Sequence, residues 1–323
     1  MPKLIYTATG FPNGSPPALS GSHSLDVAWS ELVWAAISVG RAGMRQLLQF
    51  GIYSAFEIVY RTALMYANLR ETPSEHLTRS DAYNALDPSE KGAVSYFLGL
   101  TASKLFAGRC LQVPWLLHLD VYRTQLGVVL RGGRSKPDLV GQDYGGDWVV
   151  VEAKGRTNGF EKNALDKAKA QSRRVRTISG NSPKFRIGIQ AYFESSQLCL
   201  AIDDPDSEEA GDLLDLPITA EMISQEYYQP FRAWLEHGDH VDRVAIENRI
   251  YAVRTEPTLD LAVGLTEERY KGAPTAAGSD AQKVVRRLAP DQFEGADGVL
   301  VQLGPSWSSE RMRQQPEDRR TGR

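Results

Sequence analysis

The fold is decided by a stretch in the middle of the chain, residues 135–157, which reads SKPDLVGQDYGGDWVVVEAKGRT. It holds two apolar runs, at 139–140 and 148–151, that are rich in the Val and Trp typical of strands. The residues between them, 141–147, include three glycines and two aspartates, which tolerate the backbone conformations of a tight turn. The sequence therefore predicts two antiparallel strands joined as a hairpin.

Two carboxylates and a lysine are expected to meet at one end of this hairpin. Residues two apart in a strand share a face, so Glu152 and Lys154 project together. The hairpin register then brings Asp138 to the same place. Two hard oxygen ligands beside a cation suit a Mg²⁺ ion that keeps several of its waters. Such an ion polarises a phosphodiester oxygen and activates a bound water, and Lys154 can orient that water or offset charge on the phosphate.

A purely structural explanation of the same residues stays open. Asp138 can be a turn residue, and Glu152 with Lys154 can be a solvated pair at the end of a strand. The run VVVEAK favours a functional site, because a Val-rich strand is usually buried and a charge within it needs a partner or a metal.

The pattern resembles that of the PD-(D/E)XK nuclease superfamily, through Pro137-Asp138 and Glu152-Ala153-Lys154. The resemblance covers roughly the middle third of the chain. It implies an α/β restriction-endonuclease-like core, a mixed central sheet flanked by helices. It also implies a Mg²⁺-dependent nuclease, with Mn²⁺ as a substitute ion, that acts on DNA in defence against foreign DNA. Asp138 and Glu152 would then be metal ligands and Lys154 the catalytic lysine. A catalytically silent nucleic-acid-binding or assembly subunit of a larger complex is the alternative.

A helix is predicted directly after the motif, over residues 160–178, because this stretch has helix formers and neither Gly nor Pro. Branches of the superfamily carry a Gln or Lys on this helix that points into the site. The resemblance therefore makes Gln171 a further catalytic candidate, with Lys167 second. Both residues border the apolar stripe of the helix, so an ordinary polar border explains them equally well.

An acidic residue on the helix before the motif is also common in the superfamily. Here Glu90 is the only candidate, as a third metal ligand. Asp87, Pro88 and Glu90 match a capping box with proline at the first helical position, which explains Glu90 without a metal. The capping interpretation is favoured.

Positive charge is concentrated around the motif. The whole chain has 37 Lys and Arg against 40 Asp and Glu, a balance that by itself suggests no nucleic-acid partner. Residues 126–186, however, contain 13 basic and 6 acidic residues, an excess of seven positive charges. A phosphodiester substrate would favour such a patch. The candidate DNA-binding residues are Lys136, Arg156, Lys167, Arg173 and Arg174.

Three regions are expected along the chain. Residues 1–80 are predicted to be a helical region after an irregular start, with two helices between 25 and 70. The second helix is too apolar for a lone surface helix, so it should pack on the core or form a homodimer with a second copy. Residues 81–206 are predicted to be the nuclease core. Its elements are expected to be a helix at 88–108, strands at 116–122, 127–131 and 147–152, the 160–178 helix, and strands at 185–193 and 198–202.

Residues 207–323 are predicted to be a C-terminal α+β accessory region. Its helix, near 220–236, carries aromatic residues that are interpreted as core, and the charged tail from residue 308 is expected to be disordered. A partner protein or ATPase is a further candidate partner. No apolar run of eighteen residues occurs, so no membrane span is expected. Two distant cysteines are typical of a reduced, cytoplasmic protein.

Overall fold

The chain forms a mixed α/β structure, as predicted. The computed structural model describes residues 1–39, 52–122, 126–128, 136–204, 213–237, 240–272, 286–289 and 291–313. Its strands are β1 (Lys3–Thr9), β2 (Gly21–Asp26), β3 (Leu69–Glu71), β4 (Leu77–Arg79), β5 (Trp115–His118), β6 (Leu139–Gln142), β7 (Trp148–Gly155), β8 (Val175–Ile178), β9 (Phe185–Glu194), β10 (Gln197–Asp203), β11 (Leu214–Leu216), β12 (Asp242–Ile246), β13 (Arg249–Glu256), β14 (Leu261–Thr266), β15 (Arg286–Ala289), β16 (Gln292–Glu294) and β17 (Val299–Leu303). Its α-helices are α1 (Trp29–Ser38), α2 (Ile52–Asn68), α3 (Asp81–Ala85), α4 (Pro88–Cys110), α5 (Leu119–Tyr122), α6 (Lys162–Ser172), α7 (Ala220–Glu236), α8 (Glu267–Tyr270) and α9 (Ser309–Arg313), and 3₁₀ turns span Pro17–Leu19, Pro257–Leu259 and Pro305–Trp307.

The central sheet is mixed and has the strand order β2-β1-β10-β9-β7-β6-β5. β7 is antiparallel to β6 and parallel to β9, and β1 is parallel to β10. The β3–β4 hairpin joins the sheet where Thr78 pairs with Gln197 at the start of β10. The predicted hairpin therefore lies inside a larger sheet that contains parts of the N-terminal region.

The predicted hairpin is confirmed as β6 and β7, in which Leu139 pairs with Val151. Its turn contains Gly146 at φ +88°, a left-handed conformation that glycine adopts without strain. The predicted parallel strand after the crossover helix is β9, where Gly188 pairs with Glu152. α6 covers these strands with the buried side chains of Leu165 and Ala168.

The end of β7 is in very close contact with α4. A Cβ atom on Gly155 would lie 1.7 Å from the Ser95 carbonyl oxygen, and one on Gly99 would lie 2.9 Å from the Gly155 nitrogen. Only glycine fits where two backbones approach this closely. This contact places the middle of α4 directly beside Lys154, the residue before Gly155.

Three predicted elements of the core were wrong in extent. The helix predicted over 160–178 ends at Ser172, and Val175–Ile178 is a strand, because its β-branched residues pair with β11. The strand predicted at 116–122 ends at His118 and is followed by the short helix α5. In the strand predicted at 127–131, Gly127 has φ +65° in a turn, and residues 129–131 lie outside the described residues.

The irregular start expected before residue 25 was wrong, because these residues include the strands β1 and β2. Alternate residues of β1 are buried, and β1 pairs with β2 and β10 of the central sheet. The two helices predicted between 25 and 70 are confirmed as α1 and α2, with residues 40–51 outside the description. α2 packs against α1 and α7. No helix among the described residues is long and apolar enough to cross a membrane.

The C-terminal region builds a sheet of its own, in the order β12-β13-β14-β17-β16-β15. The predicted helix is confirmed as α7, and its aromatic residues Tyr227, Tyr228, Phe231 and Trp234 are buried, as the core interpretation requires. The tail predicted to be disordered from residue 308 instead starts with α9. Arg313 of this helix forms an ion pair with the buried carboxylate of Glu71, and residues 314–323 lie outside the described part.

A buried polar network joins the two large sheets around Asp297, which is 0% exposed. Its carboxylate accepts hydrogen bonds from Trp34 Nε1 at 3.1 Å, from the Val299 N–H at 3.1 Å and from the Tyr227 hydroxyl. Lys104, also fully buried, donates to the Tyr227 hydroxyl at 2.8 Å. Helices α1, α4 and α7 are thereby tied to the turn between β16 and β17.

Candidate active site

The hairpin brings Asp138 and Glu152 into direct contact. The Asp138 N–H donates to Glu152 Oε2 at 2.8 Å, and the Ala153 N–H donates to Asp138 Oδ2 at 3.0 Å. These bonds follow from the register, because the residues before Leu139 and after Val151 lie opposite each other. The expected convergence of the two carboxylates is present.

Lys154 and Gln171 complete the cluster. Lys154 Nζ donates to Glu152 Oε1 and, at 2.8 Å, to Gln171 Oε1. Gln171 Nε2 donates to the Lys136 carbonyl oxygen at 3.3 Å. The four residues proposed for catalysis from the sequence are therefore adjacent in space. Lys167, the second candidate on the helix, is exposed instead.

The two carboxyl groups lie in a poorly hydrated environment. Glu152 is 1% exposed, and this burial raises the pKa of its carboxyl to about 7, with the negative charge of Asp138 adding to the shift. Burial also raises the pKa of Asp138, while His118, the Ala153 N–H and Lys154 act in the opposite direction. A buried acid and a half-buried acid share one lysine, so part of their negative charge is uncompensated. In such a setting a bound cation stabilises the ionised carboxylates.

The pair of carboxylates fits Mg²⁺, an ion often held by one or two carboxylates while waters and substrate phosphates complete its coordination. Asp138 and Glu152 are the residues that would hold it. Within the part of the chain that the structure describes, no cluster of three or more His, Cys, Asp or Glu has the arrangement of a metal site. A bound ion would therefore depend on water and phosphate oxygens for most of its ligands.

Glu90 lies elsewhere, at the first turn of α4. Its carboxylate accepts the Asp87 N–H at 3.2 Å, and the Asp87 carboxylate accepts the Ser89 and Glu90 N–H groups. The reciprocal pair is the capping box predicted from the sequence. The structure does not bring Glu90 into the cluster around Asp138.

His118 and Tyr96 belong to the site but escaped the sequence reasoning. His118 pairs with Leu139 across β5 and β6, and its Nε2 shares a 2.9 Å hydrogen bond with the Tyr96 hydroxyl. The Leu119 N–H donates to the Asp138 carbonyl oxygen at 2.8 Å, so this strand end borders the first carboxylate. Burial lowers the pKa of His118, which favours its neutral form. The sequence signal that could have indicated His118 is its place directly after the apolar residues of WLLH, residues 115–118.

The basic residues around the motif are largely paired in the fold. Lys136 forms an ion pair with Asp120, and Arg156 forms one with Glu161. Arg173 and Arg174, two of the candidate DNA-binding residues, are half-buried. Three more basic residues form ion pairs: Lys169 with Asp203, Arg176 with Asp215, and Lys184 with both Asp143 and Asp147. Arg131 and Arg134 lie outside the described residues. Acids that flank the segment in sequence thus neutralise part of its predicted excess charge.

The raised pKa of Glu152 predicts a stability that falls as the pH rises. With an ordinary value near 4.5 and a folded value of about 7, the native state binds the proton more tightly. The resulting stabilisation is complete below about pH 4.5 and is lost as the pH rises through about 7. In EDTA, we expect the free energy of unfolding of the wild type, relative to Glu152→Gln, to fall by up to about 3 kcal/mol over this range.

Urea unfolding at about pH 5 and about pH 8 measures this difference. The comparison with Glu152→Gln removes the contribution of His118, whose pKa is also shifted but is not set by Glu152; the coupled shift of Asp138 is part of the measured difference. Parallel pH profiles for the two proteins would contradict the prediction.

Comparison with known proteins returns no relative. No match is found among models of protein families, among curated proteins or among solved structures. The function is therefore inferred from the residues and geometry of the chain alone.

Proposed function

We propose that the chain is a Mg²⁺-dependent nuclease that hydrolyses phosphodiester bonds of DNA at Asp138, Glu152 and Lys154. The observation that carries the proposal is the closed set of hydrogen bonds in which Lys154 contacts both Glu152 and Gln171 while the Asp138 N–H binds Glu152. A solvated ion pair at a strand end would need neither a buried acid nor a second side chain that holds the lysine.

A restriction-endonuclease-like core is part of the same proposal. It is supported by the antiparallel pair β6–β7, by the crossover through α6 and by the parallel strand β9. The carboxylates and the lysine lie where β6 begins and β7 ends, on the strands that this core would use for catalysis.

Each residue has a distinct task in the proposed reaction. Asp138 and Glu152 would hold Mg²⁺, which when bound would supply Lewis-acid polarisation of a phosphodiester oxygen and a water of lowered pKa. The Lys154 ammonium can donate to the phosphate oxygens as negative charge develops on them. Gln171 accepts a second hydrogen bond from Lys154 and is itself anchored on the Lys136 carbonyl. The lysine is therefore oriented before the substrate arrives, which lowers the reorganisation needed in the transition state.

Nicking of a supercoiled plasmid tests the proposal. We expect the wild type to nick the plasmid with Mg²⁺ or Mn²⁺ and to lose this activity in EDTA. Asp138→Asn keeps the size of the side chain but removes the charge, and should abolish nicking. Asp166→Asn is the matched control, because Asp166 is an exposed acid on α6, and it should cut like the wild type.

A catalytically silent nucleic-acid-binding or assembly subunit is the second candidate. It is favoured by one observation, that both oxygens of Glu152 already accept hydrogen bonds from the chain itself. DNA binding without any metal-dependent cleavage, equal in the wild type and Asp138→Asn, would support this candidate and contradict the nuclease.

A further inference from the structure

A row of aromatic rings extends outward from the candidate active site. It consists of Tyr96 and Phe97 on α4 and Tyr60 on α2, and we call it the aromatic row. The Phe97 ring lies 5.5 Å from the Tyr96 ring and 5.6 Å from the Tyr60 ring, both in edge-on contacts. Tyr60 is 50% exposed and Tyr96 is 40% exposed, although aromatic side chains of this size are usually more buried.

The inner end of the aromatic row is fixed against the catalytic strands at two points. The Tyr96 hydroxyl bonds His118 Nε2 at 2.9 Å, at the strand end that borders Asp138. The neighbouring Ser95 carbonyl packs against Gly155, the residue after Lys154. Tyr96 is therefore held between β5, which lies beside β6 in the sheet, and β7, which carries Lys154.

The outer end of the row is also held in place. The Arg61 guanidinium lies 5.1 Å from the centre of the Phe97 ring, and it is itself bound by Glu57 and by the carbonyl oxygens of Ala36 and Val39. Arg61 is buried and forms an ion pair with Glu57, so the row presents ring surface rather than positive charge to the solvent. Single exposed aromatics are common on proteins, but three contacting rings from two helices, the innermost bonded to the histidine beside Asp138, are a different observation.

We propose that the aromatic row stacks against unpaired nucleobases, so that the substrate is nucleic acid with a single-stranded stretch next to the scissile phosphate. This inference rests on the proposed function for the nature of the ligand. Exposed aromatic rings bind bases through their faces, irrespective of sequence, and bases are free for this contact only where they are not stacked in a duplex. The hydrogen bond from Tyr96 to His118, at the strand end that borders Asp138, places such bases beside the catalytic residues.

Binding to labelled oligonucleotides in EDTA, measured by fluorescence anisotropy, tests the inference without any cleavage. The probes are a single strand and a duplex of the same sequence at one fixed salt concentration. We expect the wild type to bind the single strand more tightly than the duplex. Tyr60→Leu should weaken single-strand binding about 5- to 150-fold and leave duplex binding within about twofold. Phe160→Leu is the matched control, because Phe160 is an equally exposed ring, 49%, outside the row, and it should bind like the wild type.

The outcomes separate this inference from the proposed function. If the protein nicks DNA with a metal but Tyr60→Leu leaves single-strand affinity unchanged, the stacking role of the aromatic row is wrong and the nuclease proposal still stands. Single-strand binding that depends on Tyr60 would support the row even if no cleavage is found. Light scattering on the same samples measures the oligomeric state. If the wild type is a dimer that Tyr60→Leu dissociates, while nucleic-acid binding is unchanged, the aromatic row contacts a second copy of the chain. That result would overturn the inference.

Discussion

Lys154→Met is expected to lower the rate of Mg²⁺-dependent cleavage by about a thousandfold. Methionine keeps most of the length of the side chain but removes the ammonium that contacts Glu152 and Gln171. Because this charge is needed mainly when negative charge develops on the phosphate, kcat should fall while KM changes little. Initial rates of nicking over a range of plasmid concentrations measure both quantities.

Two further variants give this prediction its controls. Lys162→Met makes the same chemical change at an exposed position at the start of α6 and should leave the rate unchanged. Gln171→Leu removes the acceptor that orients Lys154 and should cost about tenfold, since it acts through the lysine. A Lys154→Met enzyme within a few-fold of the wild type would show that the lysine has only a structural role beside Glu152.

The geometry of the candidate site could be predicted from the sequence because its signals are local. The turn residues between 141 and 147 fix the hairpin, and the two-residue period of a strand places Glu152 and Lys154 on one face. Gln171 was preferred on the following helix because of the resemblance to the nuclease superfamily, and its amide does contact Lys154. None of these steps requires knowledge of residues far away in the chain.

The parts that could not be predicted depend on distant pairing. β1 is stabilised by pairing with β10, about two hundred residues later, and the sequence of residues 1–26 does not indicate which strand is its partner. The alternation in KLIYTAT was readable, yet the Gly- and Pro-rich stretch after it suggested an irregular segment. Tyr96 and His118 likewise become neighbours only when α4 packs on the end of β7.

The count of charges along the sequence was the poorest guide to the folded protein. The excess of seven positive charges was counted along the sequence, but Asp120, Asp203 and Asp215 lie just outside the counted segment and fold back onto it. Electrostatic attraction for a polyanion depends on the field of the folded surface, not on a count along the chain. Lys162 and Lys167 on α6 remain exposed cations, so phosphate contacts are expected to concentrate there.

Asp297→Ala is expected to lower the free energy of unfolding by about 3–5 kcal/mol. The substitution removes the acceptor of hydrogen bonds from Trp34, Tyr227 and Val299, all in a dry interior. It also leaves the buried Lys104 without its nearby negative charge; burial already lowers the pKa of this lysine to about 8, and Asp297 opposes that shift. Urea unfolding measures the loss, and Asp215→Ala, which breaks the exposed pair with Arg176, should change stability little.

A double-mutant cycle with Lys104→Met shows whether charge compensation is the reason for this effect. If Asp297 stabilises the fold by balancing Lys104, the double variant should be more stable than the sum of the two single losses predicts, because no uncompensated charge stays buried. The residual loss then reports the unsatisfied donors of Trp34, Tyr227 and Val299. Strictly additive losses would assign the whole effect to those hydrogen bonds. In either case the C-terminal sheet is held to helices α1, α4 and α7 through this carboxylate, so Asp297→Ala should also loosen the position of α4, which carries Tyr96 to the candidate active site.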